Sequence, residues 1–143
     1  MSGAGFLGHI QVRPALNALE RDHLAELADS GRTLRGTPTG RGENDVPFAR
    51  LAWEACPRGC CLYWNALLEG SAMMLPSLQF LIDHLLGADA RAEGQPHADG
   101  FTFDHVLYGA VLGRAFGDPE SRLVEVADNA VTERMVDRPS CEP

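Results

Sequence analysis

The sequence predicts an α+β protein in which two helices lie on one face of an antiparallel sheet, in the order β-α-β-β-α-β-β, ferredoxin-like or a close variant with an extra strand. Three observations predict it. Apolar residues alternate with period two near the N-terminus, two later segments space them at helical intervals, and short turns such as Pro57-Arg58-Gly59 and the Gly117 to Ser121 segment reverse the chain between strand-like runs. With 143 residues and 45% apolar content the chain has room for one domain with a real core, taken as residues 1–136, followed by a tail at 137–143 that reads as disordered.

The first strand is GFLGHIQVRP. Phe6, Gly8, Ile10 and Val12 fall on one face and Leu7, His9, Gln11 and Arg13 on the other, and Pro14 ends the pairing. Asn17 stands three residues before Glu20, the spacing of a capping box, so a helix starts there. Leu19, Leu24, Leu27 and Ala28 give it an apolar stripe, and Gly31 is a natural end. From Arg32 to Pro47 the chain is rich in Gly, Thr and Pro and carries Arg32, Arg35 and Arg41. A loop of roughly sixteen residues is long. It reads either as a mobile surface loop or as one whose glycines and arginines contact an anion, and it matches neither the Walker nor the dinucleotide-binding pattern.

Next comes EACPRGCCLYW, which reads as a β-hairpin closed by Pro-Arg-Gly. A three-residue turn makes Cys56 and Cys60 cross-strand neighbours, and a four-residue turn pairs Cys56 with Cys61. The second helix runs through GSAMMLPSLQFLIDHLLG, with Pro76 in its first turns, Met74, Leu78, Leu81, Ile82 and Leu85 on one face, and Gly87 at its end. After a polar linker, FTFDHVLYGAVLGRAF and RLVEVADNAVTERMV form a second hairpin around the Gly117 to Ser121 turn. Phe101, Phe103 and Leu107 lie on one side of the first of these strands, and Val106, Tyr108, Ala110 and Leu112 on the other. A strand apolar on both sides is buried on both sides. Two helices cover only one face, so the other is expected to meet a second copy, as a homodimer, or another protein.

Charge and leader signals bound the function classes. The net charge of -8 disfavours nucleic acid, no apolar run approaches the ~20 residues of a membrane span, and the N-terminus lacks a secretory pattern, so a cytoplasmic protein is expected. All 12 basic residues are Arg, which GC-rich coding explains as well as anion recognition does.

Chemistry rests on few residues. Zinc usually takes two separated ligand pairs. Here Cys56, Cys60 and Cys61 offer a C-x-x-x-C pair and one neighbour, so a zinc site needs His105 or His9 from across the sheet, with Glu54 or Asp104 possible. Thiol chemistry has Arg58 as its only nearby cation and no helix dipole. Small packed thiols are the plain reading. His105, placed on a strand between Phe103 and Leu107, is the histidine most open to an altered pKa. Trp53, Tyr63, Trp64 and Tyr108 can stack a planar ligand on the open face, although strand aromatics are more often core. No catalytic constellation emerges, which points to a non-enzymatic binding or accessory protein acting through the sheet face and loops, without a cofactor. Arg35, Arg41, Arg58, Trp53, Trp64, Tyr108 and His105 are its candidate binding residues. The competing reading is a small metal- or thiol-dependent enzyme using the Cys56, Cys60 and Cys61 hairpin with His105, zinc being the metal.

ACPRGCCLYWN, LQFLIDHLLG, FTFDHVLYGAVLG and VEVADNAV, in this order, resemble a group of small actinobacterial proteins, with similar short proteins in phages. The pattern is a Trp-flanked hairpin, a YLIDHFL-like helix, an FTFDH strand and a V-x-DN-x-V strand, covering Gly8 to Val131. Phe80 departs from the Tyr the helix pattern favours, and the Arg/Gly loop is long. The resemblance implies a bacterial cytoplasmic origin and brings no activity or catalytic residue with it.

Overall fold

A computed structural model describes residues 5–29, 50–114 and 120–136. Its strands are β1 (Gly5–Arg13), β2 (Trp53–Ala55), β3 (Cys61–Trp64), β4 (Val106–Arg114), β5 (Ser121–Ala127) and β6 (Ala130–Val136). They form one six-stranded antiparallel sheet in the order β2-β3-β1-β4-β5-β6. The fold is α+β. Helix α1 (Ala18–Asp29) joins β1 to β2, and α2 (Met74–Phe80) lies between β3 and β4.

The predicted β-α-β-β-α-β-β succession is not matched, because a sixth strand is present. RLVEVADNAVTERMV is itself a hairpin. Asp128 and Asn129 both take left-handed backbone, φ 52° and 67°, at the two centre positions of its turn, and Asp and Asn are the non-glycine residues that tolerate this. Asn129 also ties the turn to the sheet, since its side chain accepts from the Leu107 amide at 2.7 Å and donates to the His105 carbonyl at 3.0 Å.

Period-two alternation in β1 decides which face is which. Ile10 and Val12 are buried beneath the helices, and Leu7, His9, Gln11 and Arg13 point to the uncovered side. Leu62, Leu107, Val111, Val124 and Val126 extend the covered face, where they meet Leu24 and Leu27 of α1 and Met74, Leu78, Leu81 and Leu85 from the second helical segment. Directly beyond α2 the chain widens into a π-helical turn, Leu81–Leu86, closed by the Gly87 amide on the Ile82 carbonyl at 3.1 Å. The extra residue per turn lets Leu81, Ile82, Leu85 and Leu86 all face the core. Leu19, expected on the stripe of α1, is instead exposed; its stripe runs Leu16, Glu20, His23, Leu24, Leu27, which includes two ionisable residues.

The strand expected from Phe101 begins only at Val106. Phe103 has φ 53°, a conformation no strand accepts, and the stretch before it is a turn. His105 therefore precedes β4 rather than lying within it. The open-face side of β4 is not buried either: Val106 is exposed, and Tyr108, Ala110 and Leu112 are half-exposed.

Candidate functional site

Two side-chain constellations stand out among the described residues. The β2-β3 hairpin carries the first. Ala55 pairs with Leu62, and the Cys56 amide donates to the Cys61 carbonyl at 3.0 Å, so the turn has four residues, Pro57 to Cys60, and Cys56 faces Cys61. Gly59 closes it. At φ +78° it takes a conformation that favours glycine, and a Cβ there would lie 2.4 Å from the Leu16 carbonyl oxygen. Around it the turn is clamped: Leu16 N–H donates to Gly59 O at 2.9 Å, Val12 N–H to Cys60 O at 2.8 Å, and Arg21 Nη1 to the Pro57 carbonyl.

Chain reversal with this bulge brings three sulfurs together. Cys56 Sγ lies 3.5 Å from Cys60 Sγ, Cys60 Sγ lies 3.8 Å from Cys61 Sγ, and all three fall within 4.8 Å of one another. They are free thiols, with Cys60 exposed and the other two half-exposed. Desolvation pushes the Cys56 thiol up, but a hydrogen bond with Cys60 and the backbone groups of Cys60, Arg58 and Cys61 favour the thiolate and together outweigh it, holding the thiol down to about 7. Cys60 is pushed up by its sulfur hydrogen bonds with Cys56 and Cys61. The nearby Cys61 sulfur likewise pushes the Tyr63 phenol up.

A buried ionic network forms the second constellation, and its centre, Glu20, had been read only as a cap. The capping box is reciprocal: Asn17 N–H donates to Glu20 Oε1 at 2.8 Å and Glu20 N–H to Asn17 Oδ1 at 2.9 Å. The other carboxylate oxygen accepts from Thr102 N–H at 3.0 Å and from His105 Nε2 at 2.9 Å. His105 Nδ1 donates to the Pro14 carbonyl at 2.6 Å. A carbonyl only accepts, and so does a carboxylate while it is ionised, so with Glu20 charged both ring nitrogens carry protons and the ring is an imidazolium. Burial alone lowers the His105 pKa, but the bonds to Glu20 and the Pro14 carbonyl outweigh it and the net shift is upward. Burial likewise raises that of Glu20, and the donors His105, Asn17 and Thr102 reverse the sign and lower it. With both side chains sealed from solvent, the pair joins the start of α1 to the approach of β4. A shallow hollow of about 530 Å³ lies beside it, sharing Thr102 and edged by Glu93 and Asp99.

His105 is thus committed to Glu20 and is absent from the thiol group, so the zinc set of Cys56, Cys60, Cys61 and His105 is not assembled. The four aromatics do not share a face. Trp53 and Trp64 pack edge to face at 5.0 Å in the core, with Trp53 Nε1 donating to the Met74 carbonyl at 3.2 Å. Tyr63 and Tyr108 stand on the open face, Tyr63 against His9 at 5.4 Å and Tyr108 under Arg13 at 5.5 Å. Arg58 is exposed in the cysteine turn. Arg35 and Arg41, the 32–47 loop and the 137–143 tail lie outside the described residues. A carboxylate four positions after Leu16, on a stripe shared with Leu24, Leu27 and His23, was the signal for Glu20; nothing local in sequence marked Thr102 or Asn129.

Comparison of this chain with protein-family models, with curated proteins and with solved structures finds no match. No helix among the described residues is long and apolar enough to cross a membrane.

Proposed function

We propose that this chain is a non-enzymatic binding protein that associates with a second copy of itself, face to face, through the open side of its sheet. The observation that carries this reading is the one-sided cover of a six-stranded sheet. Register places Leu7 beside Leu112 and Leu112 beside Leu123 on the uncovered face, with Ala110 and Tyr108 next along β4. Leu7 is 72% exposed, Tyr63 46% and Val106 38%. Around this apolar band lie Gln11, Arg13, Glu125, Thr132 and Arg134, a polar rim of the kind that surrounds protein interfaces. The net charge of -8 favours a protein partner over nucleic acid.

The finer reading of the fold belongs here too. Strands β2-β3-β1-β4, with α1 between β1 and β2 and α2 between β3 and β4, are read as a ferredoxin-like split β-α-β core to which the β5-β6 hairpin is added. Three free thiols suit a reducing bacterial cytoplasm.

Light scattering coupled to size-exclusion chromatography tests the association. The native chain is expected to run as a dimer. Leu7→Glu, and separately Leu112→Glu, is expected to weaken the dimer at least 10- to 100-fold, since each buried leucine side chain contributes about 1.5–3 kcal/mol. A native chain that stays monomeric up to high concentration removes the reading.

A further inference from the structure

The three thiols at the β2-β3 turn fill no space in the core, being half-exposed or exposed, yet the chain holds them in a fixed group. Thiolates bound about 2.3 Å from a soft cation stand roughly 3.8–4.0 Å apart in tetrahedral or trigonal arrangement. Two of the separations, 3.5 and 3.8 Å, lie at or near this range and the third falls within 4.8 Å, so closing around an ion asks for small shifts of the sulfurs. The turn is also stiffened in advance: it is hydrogen-bonded to the chain on either side of Pro14 through Val12 and Leu16, and to α1 through Arg21.

The donor set decides the ion. Among the described residues no imidazole or carboxylate joins the group. Zinc in a protein site takes four ligands, whereas Cu(I) is satisfied by soft sulfur alone and accepts three sulfurs in a plane. We propose that Cys56, Cys60 and Cys61 form a three-thiolate site for a soft monovalent cation, Cu(I), at the exposed tip of the hairpin. Each thiol gives up its proton to become a ligand, and no electron is transferred. The site stands independently of the sheet-face association.

The test is an anaerobic titration of the fully reduced chain with Cu(I), in competition with a colorimetric Cu(I) chelator, and in parallel with Zn(II) against a zinc indicator. One Cu(I) per chain is expected, with three thiols per chain lost to a thiol reagent and a shell of three sulfurs in X-ray absorption. Each of Cys56→Ser, Cys60→Ser and Cys61→Ser is expected to weaken binding more than about 100-fold, beyond the loss an outer-shell partner produces. Circular dichroism shows whether each variant keeps its fold, and at these exposed positions it should. Cu(I) held equally well by the triple serine variant overturns the site. So does stoichiometric Zn(II) uptake in a chain that leaves Cu(I) with the chelator. Loss of affinity in Cys141→Ser overturns the three-sulfur assignment, because the ion then takes a fourth sulfur from the tail.

Discussion

Replacing Glu20 with Gln perturbs the fold at the point where two distant segments meet. The carboxylate accepts from the amides of Asn17 at 2.8 Å and Thr102 at 3.0 Å and from the His105 ring at 2.9 Å. An amide side chain keeps one oxygen. If it stays on Asn17 to preserve the cap, the NH2 group faces two donors, Thr102 N–H and the imidazole. The ring then releases its Nε2 proton and accepts, and the Thr102 amide is left without an acceptor. The part-buried Thr102 amide left without a partner costs about 1–3 kcal/mol, and the lost charge assistance adds about 1 kcal/mol, for a sum of roughly 2–4 kcal/mol. An exposed ion pair contributes under about 1 kcal/mol. For a chain of this length the midpoint is expected to fall by roughly 6–12 °C.

The loss depends on pH with a definite sign. His105, raised in the folded state above 6.5, stabilises fully below pH 6.5 and loses that contribution as pH rises through its folded value. Glu20, lowered below 4.5, stabilises above pH 4.5 and loses its contribution as pH falls through its folded value. Urea denaturation of both chains at pH 5.5, 7 and 9 measures the difference. It is expected to be largest at pH 5.5 and to narrow toward pH 9. A deficit under about 1 kcal/mol at pH 5.5, or one that does not change with pH, refutes a charged, buried pair.

Other positions give sharp expectations. Gly59→Ala forces a Cβ to within 2.4 Å of the Leu16 carbonyl at φ +78°, and is expected to lose at least about 2 kcal/mol in denaturant melts while loosening the thiol group. Asn129→Ala removes bonds to Leu107 and His105 and strains a φ of 67°, so about 2–4 kcal/mol should be lost. Asn129→Gly should recover roughly 1–2 kcal/mol of that, because only the backbone strain is relieved. Mass-spectrometric mapping of iodoacetamide labelling should show Cys56 modified ahead of Cys60, its rate rising through pH about 7. Equal rates at the two cysteines near neutral pH speak against a Cys56 thiolate favoured by its neighbours.

Local pattern revealed much of the fold and little of what joins its parts. β1, α1, the cysteine hairpin and the second helix follow from period, cap and turn residues, and the Asn17-Glu20 box formed as spaced. The sixth strand was hidden because Asp128-Asn129 reverses the chain without Gly or Pro. Phe101 and Phe103 mimic strand alternation while lying in an irregular stretch before β4, since apolar residues packed on a core edge follow no backbone period. That two sulfurs of the cysteine hairpin lie close was legible in the sequence, because a hairpin turn fixes its own geometry, whereas the gathering of all three, Cys56, Cys60 and Cys61, was not. The His105 partner was not, because Glu20 lies 85 residues away and only packing brings it close.

Synthesis runs against this architecture. β1 leaves the ribosome first, yet it sits at the centre of the sheet, and every residue from Gly5 to Arg13 pairs with β4, roughly a hundred residues later in the chain. Its other neighbour, β3, arrives about fifty residues after it and pairs over only two positions. Until β4 emerges, one long edge of β1 is unmatched and its apolar side has half a floor. The nascent chain therefore waits with an open strand edge until β4 is made, and the closing of the sheet around β1 is the expected slow step of its folding.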